Sequence, residues 1–595
     1  MSSLHKPIKL ANTLLLFFAV LAFTGHSMAQ SLTPMQGLPH VLTPAEALDM
    51  PAYLQSRAVE SAGMNMITTP PASPVRTIAE WEELQGLTIS WTSYNSMLRE
   101  IVRNAKDQAR VYILTSNPSS TITYLASGGV DTVNVTCLQI PFNSVWCRDY
   151  GLWSAYTNDV DSLISVDWIY NRPRPADDAS PVQLSAAIGV PVYQTTTAPW
   201  DLIHTGGNFM TDGFGTGFSS NLIIDENPNK TVTQIDTIMN RFMGINRYIK
   251  MNTLPYDQIH HIDMHMKLLD EETILMGQYP AGVADGPQIE ANLLYVLNNF
   301  NSVYGTPYKV VRIPMPADNG QYPGSGGRYF TYTNSSFINK TIIVPTYNVP
   351  SDTTALRIYR EAMPGYNVVG INSLSSIGSL GALHCITKEM ATPDPLLISH
   401  QPLNDTYDTL NAYAVEALIR HRSGINNAIL WWRTDTLQPY IPVNMLQSAI
   451  NPDYWIGSIP AAPVGTHVMY YVEANAVSGK NQVRPMPAPD GHWSFDVLGS
   501  SVGTGLDPLL FSANSLFPNP SKGITCLEFT DQIGQQPLNV KLMDVEGRTI
   551  IQVFNGLSRF GENRLFFDTT NLTSGLYLIQ IHSPSANYTQ KLLVR

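Results

Sequence analysis

His260-His261-Ile262-Asp263-Met264-His265-Met266-Lys267-Leu268 decides how the middle of this chain is read. Taken as a strand, its period of two puts His261, Asp263, His265 and Lys267 on one face. Ile262, Met264, Met266 and Leu268 then fall on the other. An apolar face this regular packs into a core, and the polar face points at water or at a site. His-x-Asp-x-His also invites a metal, but a hydrolytic metal centre needs further His or carboxylate ligands at tight spacing. None accompany it. No catalytic metal or other cofactor is expected, although a structural cation is compatible with the sequence.

Three other stretches place reactive groups in turns. Trp146-Cys147-Arg148-Asp149-Tyr150-Gly151 sets a carboxylate among aromatics, where a charge is costly unless it meets a cation. That cation is either Arg148 next door or a ligand. Thr205-Gly206-Gly207-Asn208 is a tight turn. Gly378-Ser379-Leu380-Gly381-Ala382-Leu383-His384-Cys385-Ile386-Thr387 brings a thiol out of a glycine-bearing loop, as a reactive nucleophile requires.

Around these stretches the pattern is mixed α/β over residues 76–390. Leu87 to Trp91, Val111 to Leu114 and the alternating Val133, Val135 and Cys137 read as strands. Further strands are expected at Lys309–Ile313, Thr341–Pro345 and Val368–Ile371. Leu98, Ile101, Val102 and Ala105 recur at helical spacing, as do Ile289, Leu293, Val296, Leu297 and Phe300. No repeat is visible at the residue level.

After Pro393 short strands separated by Pro, Gly, Asn and Asp clusters fit an immunoglobulin-like β-sandwich over residues 391–499. Residues 500–595 hold a Gly/Ser linker and another short β domain. Residues 30–75, rich in Pro, Thr, Ser and Ala and without a sustained period, read as a leader or pro-segment. Residues 1–29 read as a signal peptide: His5, Lys6 and Lys9, the apolar run Leu14 to Phe23, then Ser27-Met28-Ala29. That run is too short to span a bilayer, and no later one is longer.

A net charge of -12 argues against nucleic acid, which needs a surplus of Lys and Arg on one face. Four cysteines are too few for a disulfide scaffold in 595 residues. At most one bridge is expected, Cys137 with Cys147.

The four stretches in this order resemble the agmatine deiminase and bacterial peptidylarginine deiminase family, whose site is carried by W-x-R-D-x-G, G-G-N, H-x-D and a late H-C-x-T. The resemblance covers about residues 76 to 390. It implies a five-bladed pseudo-symmetric α/β propeller catalytic domain, with Cys385 as nucleophile and His261 as general acid/base. It makes Asp149 and Asp263 the guanidinium-binding carboxylates and singles out Asn334 from Thr331-Tyr332-Thr333-Asn334-Ser335. Trp146 falls with the substrate-binding residues. Guanidinium is planar, cationic and resonance-stabilised. Two carboxylates can hold it while a thiolate adds to its central carbon, giving a covalent thiouronium that water opens to citrulline after ammonia has left. His261 would protonate the departing nitrogen.

Asn171-Arg172-Pro173-Arg174-Pro175 resembles the stretch whose two arginines, in the secreted bacterial peptidylarginine deiminase, grip the substrate's C-terminal carboxylate. That implies arginine-containing peptides as partners, with agmatine or free arginine as the other substrate class. An inactive surface adhesin is the alternative of a different kind. Phe517-Pro518-Asn519-Pro520 through Gly523, and Gly575 to Arg595, resemble the C-terminal sorting domain of the type IX secretion system. The implied partner is that machinery, and the implied location is secreted or on the outer surface of a Gram-negative bacterium.

Overall fold

Leu84–Ser90 alternates apolar Leu87 and Ile89 with polar Thr88 and Ser90, yet both its faces are covered: all four are buried, as is Leu84. It lies parallel to Arg110–Leu114, and the connection between them is the helix Asn95–Ala105. Met97, Leu98, Ile101, Val102 and Ala105 form that helix's buried stripe, the 3.6-residue spacing legible in the sequence. On its other edge Leu84–Ser90 pairs antiparallel with Lys388–Ala391, so the last strand of the α/β region closes onto the first.

The computed structural model describes residues 37–61, 67–406, 408–498, 511–531, 537–558, 561–583 and 586–595. The expected signal peptide and the Gly/Ser linker lie outside the described residues. Among the described residues no helix is long and apolar enough to cross a membrane.

The arrangement around Leu84–Ser90 recurs five times. A short strand pairs antiparallel with a middle strand, and a helix then leads to a third strand parallel to the middle one. The other middle strands are Leu163–Tyr170, Thr216–Ser220, Thr273–Gln278 and Thr341–Thr346. Their crossover helices are Pro175–Ile188, Val232–Met243, Gly286–Asn299 and Ser351–Ala362. The repeat is one of hydrogen bonding, not of residue identity, which is why it leaves no mark in the sequence.

Residues 397–496 carry two antiparallel sheets that share one apolar cluster, including Val415, Ile419, Leu430, Val468, Val472 and Phe495. The C-terminal strands, from Phe511–Phe517 to Ala586–Val594, form two further antiparallel sheets around Leu527, Val540, Ile579 and Leu592.

Two expectations are corrected. The stretch from His260 to Leu268 is not one strand: Ile262–Met264 is a single 3-10 turn and only Met266–Leu268 is strand. Both of its faces are buried, so the polar one meets a site rather than bulk water. Cys137 and Cys147 are free thiols. Cys147 opens a short helix and points its sulfur at the Thr88 carbonyl, away from any bridge.

The leader, finally, is ordered over residues 37–61 and contains the helix Pro44–Ser61. A capping box starts it. Thr43 Oγ1 accepts from the Glu46 N–H at 3.2 Å, and Glu46 Oε2 accepts from the Thr43 N–H at 2.9 Å. Buried Arg57 pairs with Asp178 and fastens the helix to the α/β region.

Candidate active site

Each of the five units ends its connecting segment in a tight turn just before its short strand. Those five turns hold the site. Asp149 lies in Cys147–Tyr150, before Trp153–Thr157; Asn208 in Gly206–Asn208, before Met210–Thr211; Asp263 in Ile262–Met264, before Met266–Leu268. Asn334 precedes Ser336–Ile338, and Cys385 lies in His384–Ile386, before Lys388–Ala391. Residues up to 236 positions apart therefore meet.

Cys385, His261, Asp149, Asp263 and Asn334 are all buried. The Asn334 side-chain N–H donates to Cys385 Sγ at 3.2 Å, and Asn334 Oδ1 accepts the His384 N–H at 3.0 Å, which orients the thiol turn. Cys385 Sγ stands 3.8 Å from Asp263 Oδ2. His261 Nδ1 stands 3.6 Å from Asp149 Oδ1, and that oxygen also accepts the Gly207 N–H at 3.2 Å. The glycine pair is there for clearance. A Cβ on Gly206 would meet the Arg148 carbonyl oxygen at 2.0 Å, and one on Gly207 would meet His261 Nδ1 at 2.4 Å. His261 Nδ1 and Asp263 Oδ1 are buried without a hydrogen-bond partner, as expected of groups that face a polar ligand.

Arg148 does not pair with Asp149. Its guanidinium reaches Glu389 at 2.7 Å, leaving the Asp149 carboxylate for another cation. Arg172 and Arg174 are buried rather than solvated. Two residues that sequence reasoning passed over complete the support. His384 links Asp263 Oδ2 to Glu80 Oε1, both at 2.7 Å, and Glu80 also takes Lys267 at 2.6 Å. His384 stood inside the quoted H-C pair, so its signal was present. Glu80, one acid among several near Trp81, had none.

The side chain seated on Asp149 comes from the leader. His40 Nε2 is hydrogen-bonded to Asp149 Oδ2, its ring stacks on Trp146 at 4.3 Å and 10°, and it meets the His261 ring edge-on at 5.0 Å. Burial alone would raise the Asp149 carboxyl, but His40, His261 and Arg172 hold it well below the usual range. Burial pushes His261 down to about 4 against the pull of Asp149, so its imidazole is neutral at pH 7 in this arrangement. His40, Asp149 and His261 could offer three ligand atoms to an ion.

Burial, then the charges of Asp263 and Asp149, push the Cys385 thiol well above its ordinary 9.0, against a smaller pull from the Asn334 hydrogen bond. An acid shifted up keeps its proton at neutral pH. In the intact chain, the ultraviolet thiolate absorbance, read as the difference from Cys385→Ser, is therefore expected to climb through pH 9.0 without levelling off. A plateau near pH 7 would show a stored thiolate and contradict this.

Residues 76–391 match the profile of the Porphyromonas-type peptidyl-arginine deiminase family, and residues 515–595 match the secretion system C-terminal sorting domain. The latter marks the chain for secretion or the outer surface. A Vibrio parahaemolyticus protein named "Putative agmatine deiminase" is 23% identical over 364 residues, covering 55% of this chain and 99% of that one. An X-ray structure described as a "putative agmatine deiminase" superposes with a TM-score of 0.50 at 19% identity, over 55% of this chain and 98% of the other. The "Putative Arginine Deiminase from Porphyromonas gingivalis" gives 0.48 at 21% identity, over 54% and 98%. With the profile spanning more than half of its length and all five site-bearing turns inside that span, this chain belongs to the Porphyromonas-type peptidyl-arginine deiminase family.

Proposed function

We propose that the chain is an exported peptidylarginine deiminase that converts C-terminal arginine of peptides to citrulline and ammonia. The observation that carries this is the posture of His40. Its side chain sits on Asp149 while its own carbonyl oxygen accepts from Arg172 Nε at 3.2 Å. One residue thus offers a planar ring to the carboxylate and its main chain to the arginine. A terminal arginine could do the same, with a carboxylate in place of the carbonyl and a bidentate gain in strength. Trp146 would flank the guanidinium as it flanks the imidazole.

In this reading Asp149 and Asp263 hold the guanidinium between them and Cys385 adds to its central carbon. The bound cation, placed between the thiol and both acids, offsets the charges that keep the thiol protonated. A C–N bond breaks, and His261 carries a proton to the leaving nitrogen, which departs as ammonia. Water then attacks the thiouronium carbon, His261 takes a proton from it, and the C–S bond opens to give citrulline. The five units are read as blades of a propeller whose axis the site occupies, and the sorting domain as an address for the type IX machinery of a Gram-negative cell.

The test compares a peptide ending in arginine, the same peptide amidated, and agmatine, with citrulline or carbamoylputrescine and ammonia as readouts. A charge-assisted hydrogen bond contributes about 1.5–3 kcal/mol, so kcat/KM for the free peptide is expected to exceed the amidated one by roughly tenfold to a hundredfold. Equal rates would remove the C-terminal preference. Agmatine outpacing both would assign the second reading, which the name of the Vibrio relative favours.

A further inference from the structure

We infer that residues 37–61 are a built-in inhibitor, with His40 as a guanidinium mimic seated in the cation site. The inference rests on the deiminase reading of that site.

The mimicry is chemical. His40 Nδ1 faces the Leu380 carbonyl oxygen at 2.8 Å, and Nε2 faces the Asp149 carboxylate. Both are acceptors. Each is met by a different nitrogen of the one ring. The ring is flat, with two nitrogens in its plane turned to two acceptors, as those of a guanidinium would be. It lies near Cys385: a Cβ added to Gly381 would touch Cys385 Cβ at 3.1 Å and His40 Nδ1 at 3.2 Å. One methyl group would bridge the two.

The segment is held as a ligand would be. Trp146 Nε1 donates to the Leu38 carbonyl at 2.9 Å, Arg174 donates to the Pro39 carbonyl at 2.7 Å, and Arg172 donates to that of His40. Every one of these donors is a residue expected from the sequence to bind substrate. Farther along, Arg174 Nε pairs with Glu46 at 2.7 Å, the same Glu46 that caps the helix Pro44–Ser61. The carboxylate of the leader thus engages an arginine assigned to a substrate carboxylate. With the segment in place Cys385 and His261 have no solvent-exposed surface. No substrate reaches them until it leaves.

A structural strut would make similar contacts, but the two readings differ in the sign of an effect. Loosening a strut lowers both stability and activity. Loosening a plug raises activity, because substrate affinity is reduced by the fraction of molecules that are open. A tenfold gain requires only that the closed form be favoured by about 1.4 kcal/mol.

The experiment uses the chain with its leader, the variants His40→Ala and Glu46→Lys, and 2-chloroacetamidine, an amidine-bearing alkylating agent. The labelling rate of Cys385 is measured by mass spectrometry, with the melting temperature as a fold control. Labelling is expected to be at least about tenfold faster in each variant, with citrulline formation from an arginine-ending peptide rising in parallel. Rates at or below that of the unmodified chain in both variants, with the fold retained, would overturn the inference. So would a fall in both melting temperature and rate, the result for a strut. Acceleration of the unmodified chain by a chelator would assign the seal to an ion on His40, Asp149 and His261, and would also overturn it. Faster labelling with no guanidine compound turned over would uphold the plug while refuting the deiminase reading.

Discussion

Cys385→Ser is expected to lower kcat on an arginine-ending peptide by at least about 10⁴-fold, with little change in binding. Serine nearly matches cysteine in shape and can still accept the Asn334 N–H, so the turn His384–Ile386 has no reason to move. What it lacks is acidity and nucleophilicity. A hydroxyl is harder to ionise than a thiol, and the surroundings of Cys385 already penalise the anion. Only the substrate cation offsets that penalty, and the offset falls short for an alkoxide. The measurement is steady-state citrulline formation beside calorimetric titration of the peptide, both in the His40→Ala background so that access is equal. Residual turnover within tenfold of the parent would mean that water attacks the guanidinium directly, and that Cys385 is a packing residue. An inactive adhesin would show no turnover before or after the change.

The site was legible because its chemistry dictates residue types that a core would not choose. A core has no use for His261, Asp263 and His265 in five residues, and all three are buried here. Asp149 among aromatics had to meet a partner, and it meets the His40 ring. The local conformation was less legible. Ile262–Met264 turns through a 3-10 bend although its alternation reads as strand, because both flanks are buried and the period of two reflects two different neighbours rather than a solvent face and a core face. The five-unit architecture was hidden for a related reason. Hydrogen-bond topology repeats, but each unit packs different side chains, from Leu87 and Ile89 in one middle strand to Phe218 in another.

Secondary structure followed from periodicity where one face was apolar, as in Asn95–Ala105 and Gly286–Asn299. It failed for Pro44–Ser61, where Pro51 interrupts the sequence and few residues are buried. The signal that could have found this helix is local: Thr43-Pro44-Ala45-Glu46 is a capping box with proline at its first helical position, the pair of bonds observed. His40 had no signal of its own. A single histidine between Pro39 and Val41 has meaning only once Asp149, 109 positions away, is seen to receive it.

Asp149→Asn and Asp263→Asn are each expected to reduce kcat/KM by about 10²- to 10³-fold, since breaking a buried charge pair costs about 3–5 kcal/mol. Their effects on the resting chain should differ. Asp149 holds His40 and stands 3.6 Å from His261, so its amide would weaken the leader's grip and Cys385 should label faster even as turnover falls. Among the described residues Asp263 makes no bond to the leader; it receives His384, which Glu80 holds from the other side. Its amide should depress turnover and leave the leader's hold in place, so that adding His40→Ala still speeds labelling by 2-chloroacetamidine in this variant but adds little in Asp149→Asn. Both variants retain the shape of the site, so the comparison isolates charge. If the two carboxylates were interchangeable struts, both changes would move melting temperature and labelling together. If they grip opposite sides of one flat cation, the leader's hold is lost at Asp149 alone while catalysis is lost at either.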